Sequence, residues 1–307
     1  MNGNANIQYL TNKQVDKTKW DHCIDNATNG LIYAYSFYLD HMAKRWDALV
    51  LNDYEAVMPL TWNRKYGICY IYQPFLTAQL GLFGKNISDQ LLESFFNAVP
   101  RRFRYWDFYI NHSNVFPSLK YELYQRRNFV LDLSKPYEEL YAAYRENIKR
   151  NIKKALQIGC TVSKDFEVKK VIALAVEQIR SYTKESSENV ERFDKLYHFL
   201  HQKKMAVTYG ILSAKKELIA SCVFFFSHNR AYYILVGNHP DGRTVGASHL
   251  LIDAFIKDHA GKKMILDFEG SDIRNLAFFY SSFGAKEELF AGIKLNRLPR
   301  LLRLLKR

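Results

Sequence analysis

Between positions 206 and 236 three apolar segments of strand length follow one another: 206–212, 218–226 and 231–236. Lys215-Lys216 and His228-Asn229 separate them as turns, so the segments read as an antiparallel meander. The pattern then alternates. A helix is expected over 245–259, a strand over 264–268, a helix near 273–282 and a strand over 289–295. A strand over 160–163 and helices near 167–184 and 190–204 precede the meander. A meander that leads into strand–helix–strand connections needs a mixed sheet covered by helices, an α/β class in which parallel and antiparallel pairs share one sheet.

The first half shows a similar order without a sequence repeat. Helices are expected over 13–28, with Trp20 and Ile24 on one face, and over 36–46. Asn52-Asp53 divide a hairpin of 48–51 and 56–62, and a strand follows over 68–72. Ser88 is the expected N-cap of a helix carrying Leu91, Leu92, Phe95 and Phe96. Strands are expected over 103–110 and 129–133. A length of 307 residues suits two domains, placed at 1–133 and 134–307. A basic helix over 137–158, stopped by Gly159 at C′, joins them. The 21 Tyr, 21 Phe and 4 Trp suit deep cores or a groove.

The 44 Lys and Arg against 31 Asp and Glu give a net charge of +13, which points to an anionic partner or to plain solvated charge. Cys23, Cys69, Cys160 and Cys222 are far apart and form neither a zinc motif nor a disulfide framework, so no metal is expected. No signal region or membrane span is expected, and the inferred location is cytoplasmic.

Two stretches carry candidate chemistry. In YYILVGNHPDGRTVGASHLLIDAFIKDH a strand ending at Val236-Gly237-Asn238 runs through a polar loop into a helix by way of Arg243, Val245, Gly246, Ala247 and Ser248. A helix start presents free N–H groups and a positive dipole end, and small residues let an anion approach them. In MILDFEGSDIRNLAFFYSSFGAK a strand ends at Asp267-Phe268-Glu269, whose alternation sets both carboxylates on one face. Tyr280 follows on a helix. The alternative readings are a plain turn and cap for the first stretch. For the second they are a structural acid at Asp267 and core packing at Tyr280.

Arg243-x-x-Gly246-x-Ser248 resembles the R/Q-x-x-G-x-G/A pyrophosphate loop of GNAT acetyltransferases, and Tyr280-Ser-Ser-Phe-Gly284 resembles their Y-x-x-x-G helix end. DFEGS followed by FYSSFGA is similar to the second domain of Fem-type acyltransferases, which have tandem GNAT folds. Arg145-Glu-Asn-Ile-Lys149-Arg150-Asn-Ile-Lys153-Lys154-Ala155 resembles the basic helix between their halves. Ser248 stands where the pattern has Gly or Ala. Ile273 stands where Asn is common, with Asn275 as the substitute.

The resemblance implies two GNAT-like domains, the first degenerate, and attack of an amine on a carbonyl. The donor is acyl-CoA, such as acetyl-CoA, in most of the superfamily and aminoacyl-tRNA in the Fem branch. The residues from Val236 to Asn238 and from Arg243 to Ser248, with Asn275, would hold the donor. Tyr280 would protonate the leaving thiolate, and Glu269 or Asp267 would take the amine proton. The acceptor would be a small amine, an amino sugar or a peptide, with transfer to a cell-wall precursor as the Fem-type alternative. Arg145, Lys149 and Lys153 form one stripe at i, i+4 and i+8, beside Arg150 and Lys154. With Arg101, Arg102, Arg104, Arg126 and Arg127 they would suit tRNA phosphates or anionic lipid. A non-catalytic protein that binds through this basic face is the third reading. The tail LPRLLRLLKR reads as a short basic amphipathic helix.

Overall fold

Trp46–Leu51 and Ala56–Lys65 pair as the hairpin that the apolar runs and the Asn52-Asp53 turn predict. The computed structural model describes residues 6–117, 119–180 and 187–299, and at Ile179, Arg180 and Arg243 it describes the backbone only. Arg300, Arg303, Lys306 and Arg307 of the expected tail helix lie outside the described residues.

The chain divides into two units, one running to Arg126 and resuming at Leu289, the other Arg127–Glu288. This differs from the expected boundary at 133/134. In chain order the first unit has β1 (Ile7–Thr11), α1 (Lys17–Asn26), α2 (Ser36–Met42), β2 (Trp46–Leu51), β3 (Ala56–Lys65) and β4 (Ile68–Tyr72). Then come β5 (Phe83–Gly84), α3 (Asp89–Ala98) and β6 (Phe103–Ile110), with β7 (Leu123–Asp132) crossing the boundary. The second unit continues with α4 (Tyr137–Ala142), α5 (Glu146–Gln157), β8 (Thr161–Lys164), α6 (Val168–Arg180) and α7 (Ser187–Gln202). It goes on through β9 (Ala206–Leu212), β10 (Leu218–Ser227), β11 (Arg230–Asn238), α8 (Pro240–Val245) and α9 (Ala247–His259). β12 (Ile265–Asp267) and α10 (Arg274–Ser281) follow, and β13 (Lys286–Asn296) crosses back.

The two sheets share one plan. In the second unit β8, β9, β10 and β11 pair antiparallel in turn, β12 joins β11 in parallel, and β7 lies antiparallel to β12. In the first unit β1, β2, β3 and β4 pair antiparallel, β6 joins β4 in parallel, and β13 lies antiparallel to β6. Each unit's last strand is therefore the one that follows the other unit in sequence. The boundary moved for this reason: residues Ala291 to Asn296 pair with β6, and Val130 to Asp132 pair with β12.

Local signals explain most element ends. Ser88 accepts the N–H of Leu91 at 3.2 Å and starts α3 as expected. The last turn of α5 closes with Gly159 at φ 84°, Gly159 N–H to Leu156 and Cys160 N–H to Ala155, a Schellman end. The expected continuous helix over 137–158 is instead α4 and α5. The break falls at Tyr144, whose ring is buried against Phe283, and at Arg145, whose N–H goes to the Ser282 carbonyl.

The core of the second unit includes Ile148, Phe224, Leu251, Phe255, Leu266 and Phe283. Phe224 and Phe255 stack with centroids 3.7 Å apart, holding α9 on the sheet. Burying such a side chain contributes about 1.5–3 kcal/mol. The first unit packs Met58, Phe95, Phe96, Trp106 and Phe108.

Candidate active site

Strand β11 outruns its parallel neighbour. β12 pairs with it only from Arg230 to Tyr232, while β10 accompanies it to Asn238. From Tyr233 onward one edge of β11 therefore faces a gap where the two parallel strands part. The register with β10 also slips here: Val223 faces Leu235 and Phe224 faces Tyr233, so Ile234 is an extra residue on β11. Such a bulge bends the strand and leaves its extra residue out of the pairing.

A cavity of about 280 Å³ lies in this gap. β11 supplies Tyr233, Val236 and Asn238, and α9 supplies Ser248 and His249. Leu276, Phe279 and Tyr280 come from α10, with Gln178 from α6 and Gly242 from α8 completing the wall. Ser248 donates to the Asn238 side-chain oxygen at 2.6 Å, and the Asn238 N–H donates to the Gln178 side chain at 2.8 Å. The polar wall is thus tied to three elements.

Four of the expected residues meet here: Val236, Asn238, Ser248 and Tyr280. The others do not line the cavity. Gly237 packs on α6, where a Cβ would fall 2.6 Å from the Ala175 nitrogen. Gly246 has φ 81°, and a Cβ there would fall 2.6 Å from the Asn151 carbonyl oxygen of α5. Its smallness serves helix packing as well as the left-handed turn. Ala247 is wholly buried, and Val245 packs on the core. Asn275 is exposed. The side chain of Arg243 lies outside the described residues. The expected open loop is in part helical: Pro240 opens α8, and His239 accepts the Asp241 N–H at 3.2 Å.

The two carboxylates part company. Asp267 is 2% exposed, and its oxygens are bound by Arg230 at 2.6 Å, Asn128 at 2.9 Å and the Glu269 N–H at 2.8 Å. Arg230 also grips Glu288 through both terminal nitrogens at 2.9 and 3.0 Å. This geometry makes Asp267 a structural acid that pins the end of β12. Strand alternation stops there, because Glu269 and Gly270 adopt φ 65° and 90°. Glu269 is half-buried on this left-handed turn, and its charge acts on Tyr280.

Tyr280 stacks on Phe268 with centroids 4.6 Å apart. Burial, and then the Glu269 charge, push its phenol well above the ordinary value, so it stays protonated at neutral pH. Burial pushes the His249 imidazole down to about 4, with the Gly246 carbonyl offsetting part of the effect. Gln178, Tyr233, Gly242, Leu276 and Phe279 carried no signal that separates a cavity wall from an amphipathic face or a core strand.

Residues 142–272 match the family described as acetyltransferase (GNAT) domain. Over that stretch the chain is similar to GNAT acetyltransferase domains, and the likeness supports an acyltransferase. No curated protein matches the sequence. FemX superposes with a TM-score of 0.64 at 11% identity over 97% of this chain and 99% of its own. The C-terminal domain of a putative lysylphosphatidylglycerol synthetase from Agrobacterium fabrum gives 0.59 at 10% over 96% of both chains. L-PGS from Bacillus licheniformis gives 0.54 at 12% over 87% and 90%. These likenesses establish the fold across both units. In the second unit the gap beside β11 is the cavity's site. The first unit has no such overhang, since β6 pairs with β4 as far as its last residue, Tyr72.

The basic surface is partly engaged within the fold. The Arg145 guanidinium sits over the Phe278 ring, Lys149 pairs with Glu146 at 3.0 Å, and Lys154 donates to the Thr244 carbonyl at 2.8 Å. Arg150 and Lys153 are exposed. In the first unit Arg102 pairs with Asp47 at 2.9 Å, and Arg126 donates to the Tyr109 hydroxyl at 2.6 Å. Among the described residues no cluster of His, Cys, Asp and Glu could hold a metal ion. None of their helices is long and apolar enough to cross a membrane.

Proposed function

We propose that the chain moves an acyl group from an acyl-CoA thioester to the nitrogen of an amine acceptor. The observation that carries this reading is the cavity beside the β11 overhang, with a protonated phenol in its wall. The acyl carbonyl lies against the bulged edge of β11, where backbone N–H groups polarise it. The amine nitrogen attacks, and its proton passes to Glu269, directly or through one water. The carbon–sulfur bond then breaks, and Tyr280 gives its proton to the departing thiolate. Asp267 acts through the Glu269 backbone as a positioning group. Holding donor and acceptor together supplies much of the remaining acceleration.

A second donor is favoured by exposed Arg150 and Lys153 on α5, which suit tRNA phosphates. An aminoacyl ester would undergo the same attack in the same place, and the acceptor would then be a peptide or lipid-linked amine or hydroxyl. FemX shares the fold, and the resemblance of the sequence to Fem-type acyltransferases implies this donor.

Calorimetric titration with acetyl-CoA, CoA and aminoacyl-tRNA, on the native chain and on Ser248→Trp, separates the two. Saturable acetyl-CoA binding that the filled cavity abolishes supports the thioester reading. Tight, salt-dependent tRNA binding with no response to either CoA species replaces it with the second.

A further inference from the structure

A cavity of about 520 Å³ in the first unit shares no residue with the one beside β11. It opens where β1 ends, where β2 begins and just before β6, with Trp62 of β3 in its wall. Its two carboxylates are already taken. Asp40 pairs with Lys17 at 2.6 Å and accepts the Trp46 indole N–H at 3.0 Å. Asp47 pairs with Arg102 at 2.9 Å and accepts the Tyr9 hydroxyl and the Asn12 N–H. The cations of the wall are less engaged. Among the described residues Lys13 and Arg45 meet no carboxylate, and both are exposed. The Arg45 guanidinium rests on the Trp62 ring, 5.2 Å from its centre. Arg102 stands 5.2 Å from the centre of the same ring and engages Asp47 and Tyr9 through Nη2 alone.

We propose that this cavity binds a phosphate or diphosphate group, held by Lys13, Arg45 and Arg102. The site is separate from acyl transfer and does not depend on the donor reading. Like charges gathered in one concave wall repel one another, and an anion bound among them relieves that repulsion. A carboxylate offers one charge and two oxygens. A phosphate offers nearly two charges and three oxygens, which suits a wall of three cations better. Guanidinium forks match phosphate oxygens two at a time. The Trp62 ring supports both guanidinium groups, so less side-chain freedom is lost when the anion arrives. The volume lies within the range of small-molecule sites. A free phosphate ester and a phospholipid headgroup share this chemistry.

The test is calorimetric titration of the full-length protein with inorganic pyrophosphate and with succinate, at an ionic strength of about 0.1 M. The native chain is compared with Arg45→Gln, with Lys13→Gln and with Lys263→Gln, which removes an exposed cation of the second unit. Thermal unfolding is the control for folding. Pyrophosphate binds the native chain saturably, and succinate binds about tenfold more weakly. Loss of a charge-assisted contact in Arg45→Gln raises Kd for pyrophosphate about tenfold. Lys13→Gln weakens binding in the same direction, and Lys263→Gln leaves it unchanged. Indole fluorescence changes with saturation, and Trp62→Phe removes that change. Vesicles of phosphatidylglycerol in phosphatidylcholine separate the two sources. Sedimentation with the vesicles that pyrophosphate reverses assigns the site to a headgroup, and pyrophosphate binding without sedimentation assigns it to a free phosphate. A native chain without saturable pyrophosphate binding overturns the proposal. So does succinate binding of equal strength, or a loss in Lys263→Gln equal to that in Arg45→Gln.

Discussion

Ser248 donates a hydrogen bond of 2.6 Å to the side-chain oxygen of Asn238, tying the first turn of α9 to the last residue of β11. Both residues line the cavity, so in the proposed reading the bond would set the depth at which a donor meets the helix start. Ser248→Ala frees the Asn238 side chain and opens the wall by one hydroxyl. A neutral hydrogen bond contributes about 1 kcal/mol, so Kd for the donor is expected to rise roughly fivefold. Stability should change little. Calorimetry beside a melting curve measures both. A variant with unaltered Kd would show that the helix start lies away from the donor.

Tyr280→Phe removes the proposed proton donor and keeps the ring that stacks on Phe268. General-acid catalysis is worth roughly 10²–10⁴-fold, so kcat should fall by about that factor with KM and Tm nearly constant. The raised phenol also has a pH signature. Its acid form persists above the ordinary tyrosine range, so kcat should not fall through pH 10 on account of this group. A pH–rate profile checks it.

The sequence displays these features unevenly, for physical reasons. The meander, the Ser88 cap and the Gly159 end are written in short windows, because each depends on residues within one turn or one strand. The partner of β13 is not, because Ile293 meets Phe108 across a long stretch of intervening chain. Helix α8 was hidden by Pro240-Asp241-Gly242, a run that reads equally as a turn, until His239 is seen capping it. The split between Asp267 and Glu269 rests on a left-handed backbone at a non-glycine residue, which alternation does not reveal. The seat of His249 against Phe279 depends on how α9 meets α10, which no local window contains.

Arg230→Ala tests the buried charge cluster. It leaves the Asp267 and Glu288 carboxylates without their shared cation, 2.6 and 2.9 Å away in the native fold. Removing one partner of a buried pair costs roughly 3–5 kcal/mol. Denaturant unfolding should show a loss of that order. Asp267→Asn, which keeps the shape and removes one charge, should lose less. Equal losses in the two variants would mean that shape, not charge pairing, holds the end of β12.

Gly246 and Gly261 both adopt left-handed backbone, at φ 81° and 79°, but only Gly246 has a neighbour in the way. Gly261→Ala has open space and should lose only the left-handed penalty of about 1–2 kcal/mol. Gly246→Ala adds a Cβ 2.6 Å from the Asn151 carbonyl and must push α5 away from α9. Its loss should exceed that of Gly261→Ala, and donor binding should weaken with it. Equal losses would show that α5 yields freely.

His249 supplies a pH signature in stability. Its ordinary value is about 6.5, and burial lowers it to about 4 in the fold, so the folded state holds the neutral ring. The unfolded chain takes up the proton first as pH falls. The contribution is therefore fully present above pH 6.5 and is lost as pH drops from there through 4. Its full size is on the order of 3 kcal/mol. His249→Phe keeps the ring contact with Phe279 and cannot titrate. The difference in unfolding free energy between the native chain and this variant cancels the other ionisable groups. It should move against the native chain as pH is lowered from 7 to 4.5, and a difference that stays flat over that interval would place the imidazole in contact with water.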